Sequence, residues 1–124
     1  MAEILIVENE EDIAELLKLE LESKDHNVTV CHDGDSAIES LKQHKYGLII
    51  LDLFLPKKNG AEVSFFIRDV LPPDKNTTPI ICITGGNIIM DADESAQKIR
   101  HFVNAVIQKP VDYNVFHQAV EKFL

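Results

Sequence analysis

Four apolar runs in this chain end on side chains that can do chemistry. Leu48-Ile49-Ile50-Leu51 leads into Asp52, and Ile4-Leu5-Ile6-Val7 leads into Glu8-Asn9-Glu10-Glu11. Pro79-Ile80-Ile81-Cys82-Ile83 ends at Thr84, and Val103 to Ile107 ends at Gln108-Lys109-Pro110. An ionisable group closing a buried run is costly unless it is paired, bound to metal or chemically employed. An acidic cluster, a strand-end carboxylate, a hydroxyl and an ammonium together suit phosphoryl transfer onto an aspartate. The acidic cluster can hold a hard divalent cation such as Mg²⁺, and Asp52 can act as nucleophile. Thr84 would donate a hydrogen bond to one phosphoryl oxygen and Lys109 would pair with another. Pro110 keeps Lys109 out of helical geometry and makes the bond between them a candidate for the cis form.

Residues so far apart in sequence meet only if something gathers the ends of the runs. Each run is followed by apolar residues at helical spacing. Ile13, Leu16, Leu17 and Leu21 follow the first, and Ala37, Ile38 and Leu41 follow a second strand at Val28-Thr29-Val30-Cys31, with Asp33 or Asp35 as helix cap. Val63, Phe66, Ile67 and Val70 follow the Pro56-to-Gly60 turn and stop at Pro72-Pro73. After Gly85-Gly86, the spacing of Ala92, Ala96 and Ile99 sketches a fourth helix, and Val111, Val115, Phe116, Ala119, Val120 and Phe123 mark a closing one. Strands apolar on both faces require cover on both faces, so the alternation predicts an α/β fold: a doubly wound, five-stranded parallel sheet in a three-layer arrangement. In such a sheet ligands bind outside the carboxyl ends of the strands, which is where all four polar strand ends fall.

Composition narrows the function classes. A chain of 124 residues, 45% hydrophobic, fits one domain spanning residues 1–124. Twenty-one acidic against 12 basic residues give a net charge of −9, which argues against direct nucleic-acid binding or an anionic membrane surface. No apolar stretch approaches a spanning helix and the start Met1-Ala2-Glu3-Ile4 has no signal-peptide character, so the expected location is cytoplasmic. Cys31 and Cys82 lie in strand-like runs and read as small core hydrophobes. Glu10, Glu11 and Asp12 read as first-turn residues favoured by the helix dipole. Neither GxGxxG nor GxxxxGK[ST] occurs, and Asp52-Leu53-Phe54 lacks a second aspartate two positions on, so a nucleotide enzyme or a phosphatase is poorly supported.

In the order and spacing of Glu8-Asn9, Asp52 with Pro56 and Gly60 behind it, Thr84 and Lys109-Pro110, the chain resembles the receiver domains of two-component response regulators, of the chemotaxis-regulator type. The resemblance covers essentially the whole chain. It implies a flavodoxin-like strand order of 2-1-3-4-5. It makes Asp52 the phosphoacceptor, Thr84 and Lys109 the switch hydroxyl and lysine, and Glu8, Asn9, Asp52 and the backbone carbonyl of Phe54 the metal ligands. It further implies that a sensor histidine kinase or histidine phosphotransfer protein donates the phosphoryl group, that a downstream protein or effector domain receives the signal, and that the only chemistry is self-phosphotransfer and autodephosphorylation. Two positions depart from the pattern. Relatives carry two aspartates where this chain has Glu8 and Asn9; an amide oxygen coordinates Mg²⁺ without attracting it by charge, so weak binding is expected. Val106 stands where receivers commonly carry an aromatic ring that swings on activation; valine has one stiff torsion, which shifts any output to the loop after Thr84 and the fourth helix. A receiver that has lost these features would instead serve as a phosphorylation-independent interaction module.

Overall fold

Five strands form one all-parallel sheet in the order β2-β1-β3-β4-β5, as expected. They are β1 (Glu3–Val7), β2 (Asn27–Cys31), β3 (Leu48–Asp52), β4 (Ile80–Thr84) and β5 (Ala105–Gln108). The coordinates are a computed structural model that describes residues 1–85 and 99–124. Helices α1 (Glu11–Glu22), α2 (Gly34–Gln43), α3 (Gly60–Phe65), a helical turn α4 over residues 99–102 and α5 (Tyr113–Phe123) complete the alternation.

Alternation along each strand divides the core into two halves. Ile4, Ile6, Leu48, Ile50, Ile81, Ile83 and Ile107 face Leu17 and Leu21 of α1 and Phe116 and Val120 of α5. Their neighbours Leu5, Val7, Ile49, Leu51 and Ile80 face Ala37 and Leu41 of α2 and Val63 of α3. This is the three-layer, doubly covered sheet that unbroken apolar strands demand. Every residue of β3 and β4 is buried, whereas the edge strands β2 and β5 are only partly covered. Asp33 caps α2, its side chain accepting the Ser36 N–H at 2.8 Å. Beyond Phe65, α3 widens into a π-helical turn at Phe66–Val70, closed by the Leu71 N–H on Phe66 O at 3.0 Å just before Pro72-Pro73.

Several sequence expectations need correction. The fifth strand starts at Ala105 rather than Val103, because the Val103 N–H bonds back to Ile99 O at 3.1 Å and ends the helical turn, and the Asn104 N–H bonds Ile80 O at 2.8 Å. Leu16, Val70 and Val115 were expected on core faces but are about half exposed, at 50%, 57% and 47%. The buried stripe of α1 runs through Ala14, Leu17 and Leu21, and a residue one position from Leu17 is turned about 100° away. The expected start of the fourth helix, with Ala92 and Ala96, lies outside the described residues; Ile99 is buried as expected. Among the described residues no helix is long and apolar enough to cross a membrane.

Candidate functional site

The parallel register delivers the polar strand ends to one edge. Val7 pairs with Leu51, Asp52 with Ile83 and Thr84 with Gln108, so Glu8, Asp52, Thr84 and Lys109 leave adjacent strands at the same level. Each element fixes its residue by a backbone bond. The Glu8 N–H donates to Cys31 O at 3.0 Å, and the Lys109 N–H donates to Thr84 O at 2.8 Å. The Lys109-Pro110 bond is cis. Burial is nearly complete: Glu8 and Thr84 are 1% exposed and Asp52 4%.

Lys109 is the centre of charge. Its Nζ lies 2.8 Å from Glu8 Oε1, 3.4 Å from Asp52 Oδ2 and 3.9 Å from Glu10 Oε1. The Glu8 contact is a close ion pair outside hydrogen-bonding alignment, leaving Oε1 a buried oxygen without a hydrogen bond. Glu8 Oε2, by contrast, accepts the Glu10 N–H at 3.0 Å. Asp52 Oδ1 accepts the Phe54 N–H at 3.1 Å and Oδ2 faces the ammonium, so the carboxylate is held from both sides.

Burial raises the Asp52 pKa to about 6, with the adjacent Glu8 carboxylate adding to the rise and the Phe54 N–H and the Lys109 charge opposing it. Burial pulls the Lys109 pKa down, yet the close Glu8 carboxylate and the negative charges of Asp52 and Glu10 outweigh that and leave it above the ordinary lysine value. Beneath the site, the Cys82 thiol is pushed up to about 12 by burial and by the charge of Asp52. It is a packing residue, in contact with Leu53 and Ile99, and both cysteines are free.

The loop behind Asp52 is shaped by two close approaches. A Cβ on Gly60 would lie 2.6 Å from both Asp52 O and Leu53 Cα, and the Gly60 N–H donates to Leu53 O at 2.9 Å. A Cβ on Gly34 would lie 1.8 Å from Lys58 O, so the Pro56–Asn59 loop rests on the start of α2 only because no side chain intervenes. Asn59 caps α3 by accepting the Glu62 N–H at 2.9 Å.

Of the residues expected at the site, Glu8, Asp52, Thr84 and Lys109 come together. Asn9 is exposed, and Phe54 is 66% exposed with its N–H committed to Asp52. Among the described residues no three acidic, histidine or cysteine side chains are arranged as a metal cluster. Glu10, read from sequence as a first-turn residue, instead immediately precedes α1 and contributes the third carboxylate around Lys109. His32 was also missed: its Nδ1 lies 2.9 Å from Glu8 O, bracing the acidic loop from the end of β2. Neither has a local sequence signal, since the His32 contact depends on the register of β1 with β2, and the Glu10 contact on the sheet order that brings the end of β5 near β1 and on the length of the loop before α1.

Known proteins share the family pattern and the fold. The family model for the response regulator receiver domain matches residues 4–121. Response regulator ArlR of Staphylococcus aureus strain Mu50 is 38% identical over 112 residues, 90% of this chain and 48% of that protein. The chain thus spans about half the length of the curated relatives it matches. Among solved structures, the response regulator protein TrrA from Thermotoga maritima, in complex with Mg²⁺ and BeF, superposes with a TM-score of 0.83 at 28% identity, covering 100% of both chains. The signal receiver domain of a histidine kinase from Syntrophus aciditrophicus gives a TM-score of 0.87 at 27% identity, covering 100% of this chain and 90% of that one.

Proposed function

The chain belongs to the response regulator receiver family of two-component signalling, and from that premise we propose that Asp52 is a phosphoacceptor whose modification switches a protein-interaction surface. One observation carries the reading: a carboxylate 4% exposed at the end of β3, held between the Phe54 N–H and a lysine ammonium 3.4 Å away. The donor is a phosphohistidine on a sensor kinase or phosphotransfer protein. An Asp52 carboxylate oxygen forms the new bond to phosphorus as the phosphorus–nitrogen bond breaks, and the imidazole leaves with the electron pair. Lys109 then pairs with the charge gathered on the phosphoryl oxygens. Thr84, on the neighbouring strand, supplies the hydroxyl that follows them. The bound phosphoryl group biases a pre-existing equilibrium, and the surface around α4, β5 and α5 presents itself to a downstream protein or to an effector domain. Val106 packs on Leu53, Cys82 and Ile99 as a small filler, consistent with output that does not depend on a swinging ring. The reaction is self-modification, with hydrolysis of the acyl phosphate as its reset, in a cytoplasmic setting.

The residues at hand fit a hard cation. Glu8 Oε1 is a buried oxygen without a hydrogen bond, and the remaining donors are oxygens as well. Glu8, Asn9, Asp52 and the Phe54 carbonyl would hold Mg²⁺, weakly, because Asn9 brings no charge. When bound, the ion neutralises charge on the phosphoryl oxygens.

Intact mass after treatment with acetyl phosphate and Mg²⁺ tests the proposal. A phosphoryl adduct that disappears in Asp52→Asn is the expected result. No adduct with any donor would overturn it and leave the phosphorylation-independent interaction module, the reading that Asn9 and Val106 favour.

A further inference from the structure

A cleft of about 400 Å³ opens between α2, α3 and α4, and neither Asp52 nor any residue around Lys109 lines it. Its walls are Phe65 and Phe66 at the end of α3, Val70 from the π-helical turn, Phe102 from α4 and Ile38 from α2. Phe65 and Val70 are 51% and 57% exposed. Single exposed apolar residues are ordinary, but these two share one concavity, and clustered apolar surface marks a place where something binds. The Phe65 and Phe102 rings meet edge to face, with centroids 6.3 Å apart and planes at 80°. Such a pair leaves the faces of one ring free for a third aromatic group. The π-helical turn shapes the concavity: it advances each residue through a smaller angle than an α-helix does, which returns Val70 to the side of Phe65 and Phe66.

We propose that this cleft is a binding site for a small, uncharged, two-ring aromatic molecule. Size selects a small molecule: the volume lies toward the lower end of ligand sites, roughly 300–1,000 Å³. A helix about 10 Å across would fill it within a single turn, too little to hold a partner protein. Charge selects a neutral one. The charged residues lining the cleft are Lys58 and Glu62, whose Nζ and Oε2 lie 3.9 Å apart with side chains 49% and 51% exposed, so the rim offers no net charge to an ion. The chain as a whole, at −9, repels anions. Stacking on the free ring face and removal of Phe65 and Val70 from water supply the attraction. The assignment does not depend on Asp52 being the phosphoacceptor.

N-phenyl-1-naphthylamine, a neutral two-ring probe whose fluorescence rises in apolar surroundings, tests this on the folded protein. Titration is followed by fluorescence and by the NMR methyl signals of Ile38 and Ile99, which line opposite walls of the cleft. Saturable one-to-one binding that shifts both methyls is the expected result. Phe65→Ala, at a half-exposed position, should weaken it by about tenfold or more, through the loss of a ring contact and its buried area. Val70→Lys, on the equally exposed opposite lip, should weaken it as well and serves as the second variant should the first fold poorly. The sulfonated counterpart 1-anilinonaphthalene-8-sulfonate should bind about threefold or more less tightly, because it carries an anion into a negative field. A fluorescence rise that never saturates, methyl shifts elsewhere in the protein, or binding unchanged in both variants overturns the site. Sulfonate binding as tight as that of the neutral probe overturns the uncharged class.

Discussion

Asp52→Asn should make this protein more stable near neutral pH, and the size of the gain follows from where the carboxylate sits. Its folded-state pKa, about 6 against an ordinary 3.8, means that folding favours the protonated acid. At pH values below 3.8 the group is protonated whether the chain is folded or not, and its contribution is full. Between 3.8 and about 6 the folded state holds more proton than the unfolded chain, so stability declines as pH rises; above 6 the decline is complete. A difference of roughly two pKa units corresponds to about 3 kcal/mol. Asparagine keeps the shape and the Phe54 N–H contact without the charge. It also removes one of the anions around Lys109, but the nearer Glu8 at 2.8 Å stays, so part of the gain survives: about 1–3 kcal/mol at pH 7.5 without divalent metal. Urea unfolding of wild type and variant, run in EDTA at pH 7.5 and again near pH 4.5, measures it. The difference should be largest at the higher pH and shrink to about a third of that at the lower, where the unfolded carboxyl is already mostly ionised. A variant less stable than wild type at pH 7.5, or a gain that does not change with pH, would refute the argument that an ionised, poorly solvated Asp52 burdens the fold.

Three other perturbations read different parts of the same frame. Gly60→Ala places a methyl 2.6 Å from two backbone positions that cannot yield, and should cost about 3 kcal/mol in urea unfolding, at the upper end of overpacking effects; a loss under about 0.5 kcal/mol would show that the loop is free to shift. Arg68 donates to Phe102 O at 2.9 Å, Asn76 O at 2.9 Å, Thr78 O at 2.8 Å and Asn104 Oδ1 at 3.0 Å, tying the π-helical turn to the approach to β4 and the start of β5. Arg68→Met should cost about 2–4 kcal/mol and speed amide exchange at Ile80, whose N–H bonds the same Asn104 side chain at 2.9 Å; unchanged exchange would place the clamp elsewhere. At pH 8 a maleimide should label half-buried Cys31 first and Cys82 only as the protein unfolds, since burial and the Asp52 charge push the latter's pKa to about 12. Labelling of native Cys82 at the rate of a free thiol would contradict its place beneath the site.

The fold was legible because its signals are redundant. The central strands are short unbroken apolar runs, and apolar residues at 3.6-residue spacing follow each strand, so a doubly covered parallel sheet is the arrangement that buries both. The errors fall where a single local contact decides. Val103 has the hydrophobicity of a strand residue, yet its N–H is taken by Ile99 O, and that bond delays β5 by two residues. Leu16 and Val115 sit within apolar stripes, but a helix on a sheet buries an arc narrower than the stripe. The π-helical turn at Phe66–Val70 had no signature beyond Pro72-Pro73, which says that a helix must end and not how its last turn is wound.

The site was legible at the level of residue type and strand end, and illegible at the level of one methylene. Asp52, Thr84 and Lys109 follow from strand termini, and once β1, β3, β4 and β5 are parallel neighbours no other outcome brings those termini together. Pair distances are another matter. That Lys109 stands 2.8 Å from Glu8 and 3.4 Å from Asp52 depends on the reach of a glutamate, on the Glu10 N–H that holds its second oxygen and on a loop braced by His32. A shorter acid at position 8 would satisfy the same pattern and redistribute the ammonium. Charge compensation in a dry site decides where the ammonium rests, so a glutamate and an aspartate at position 8 would divide it differently while the fold stays the same.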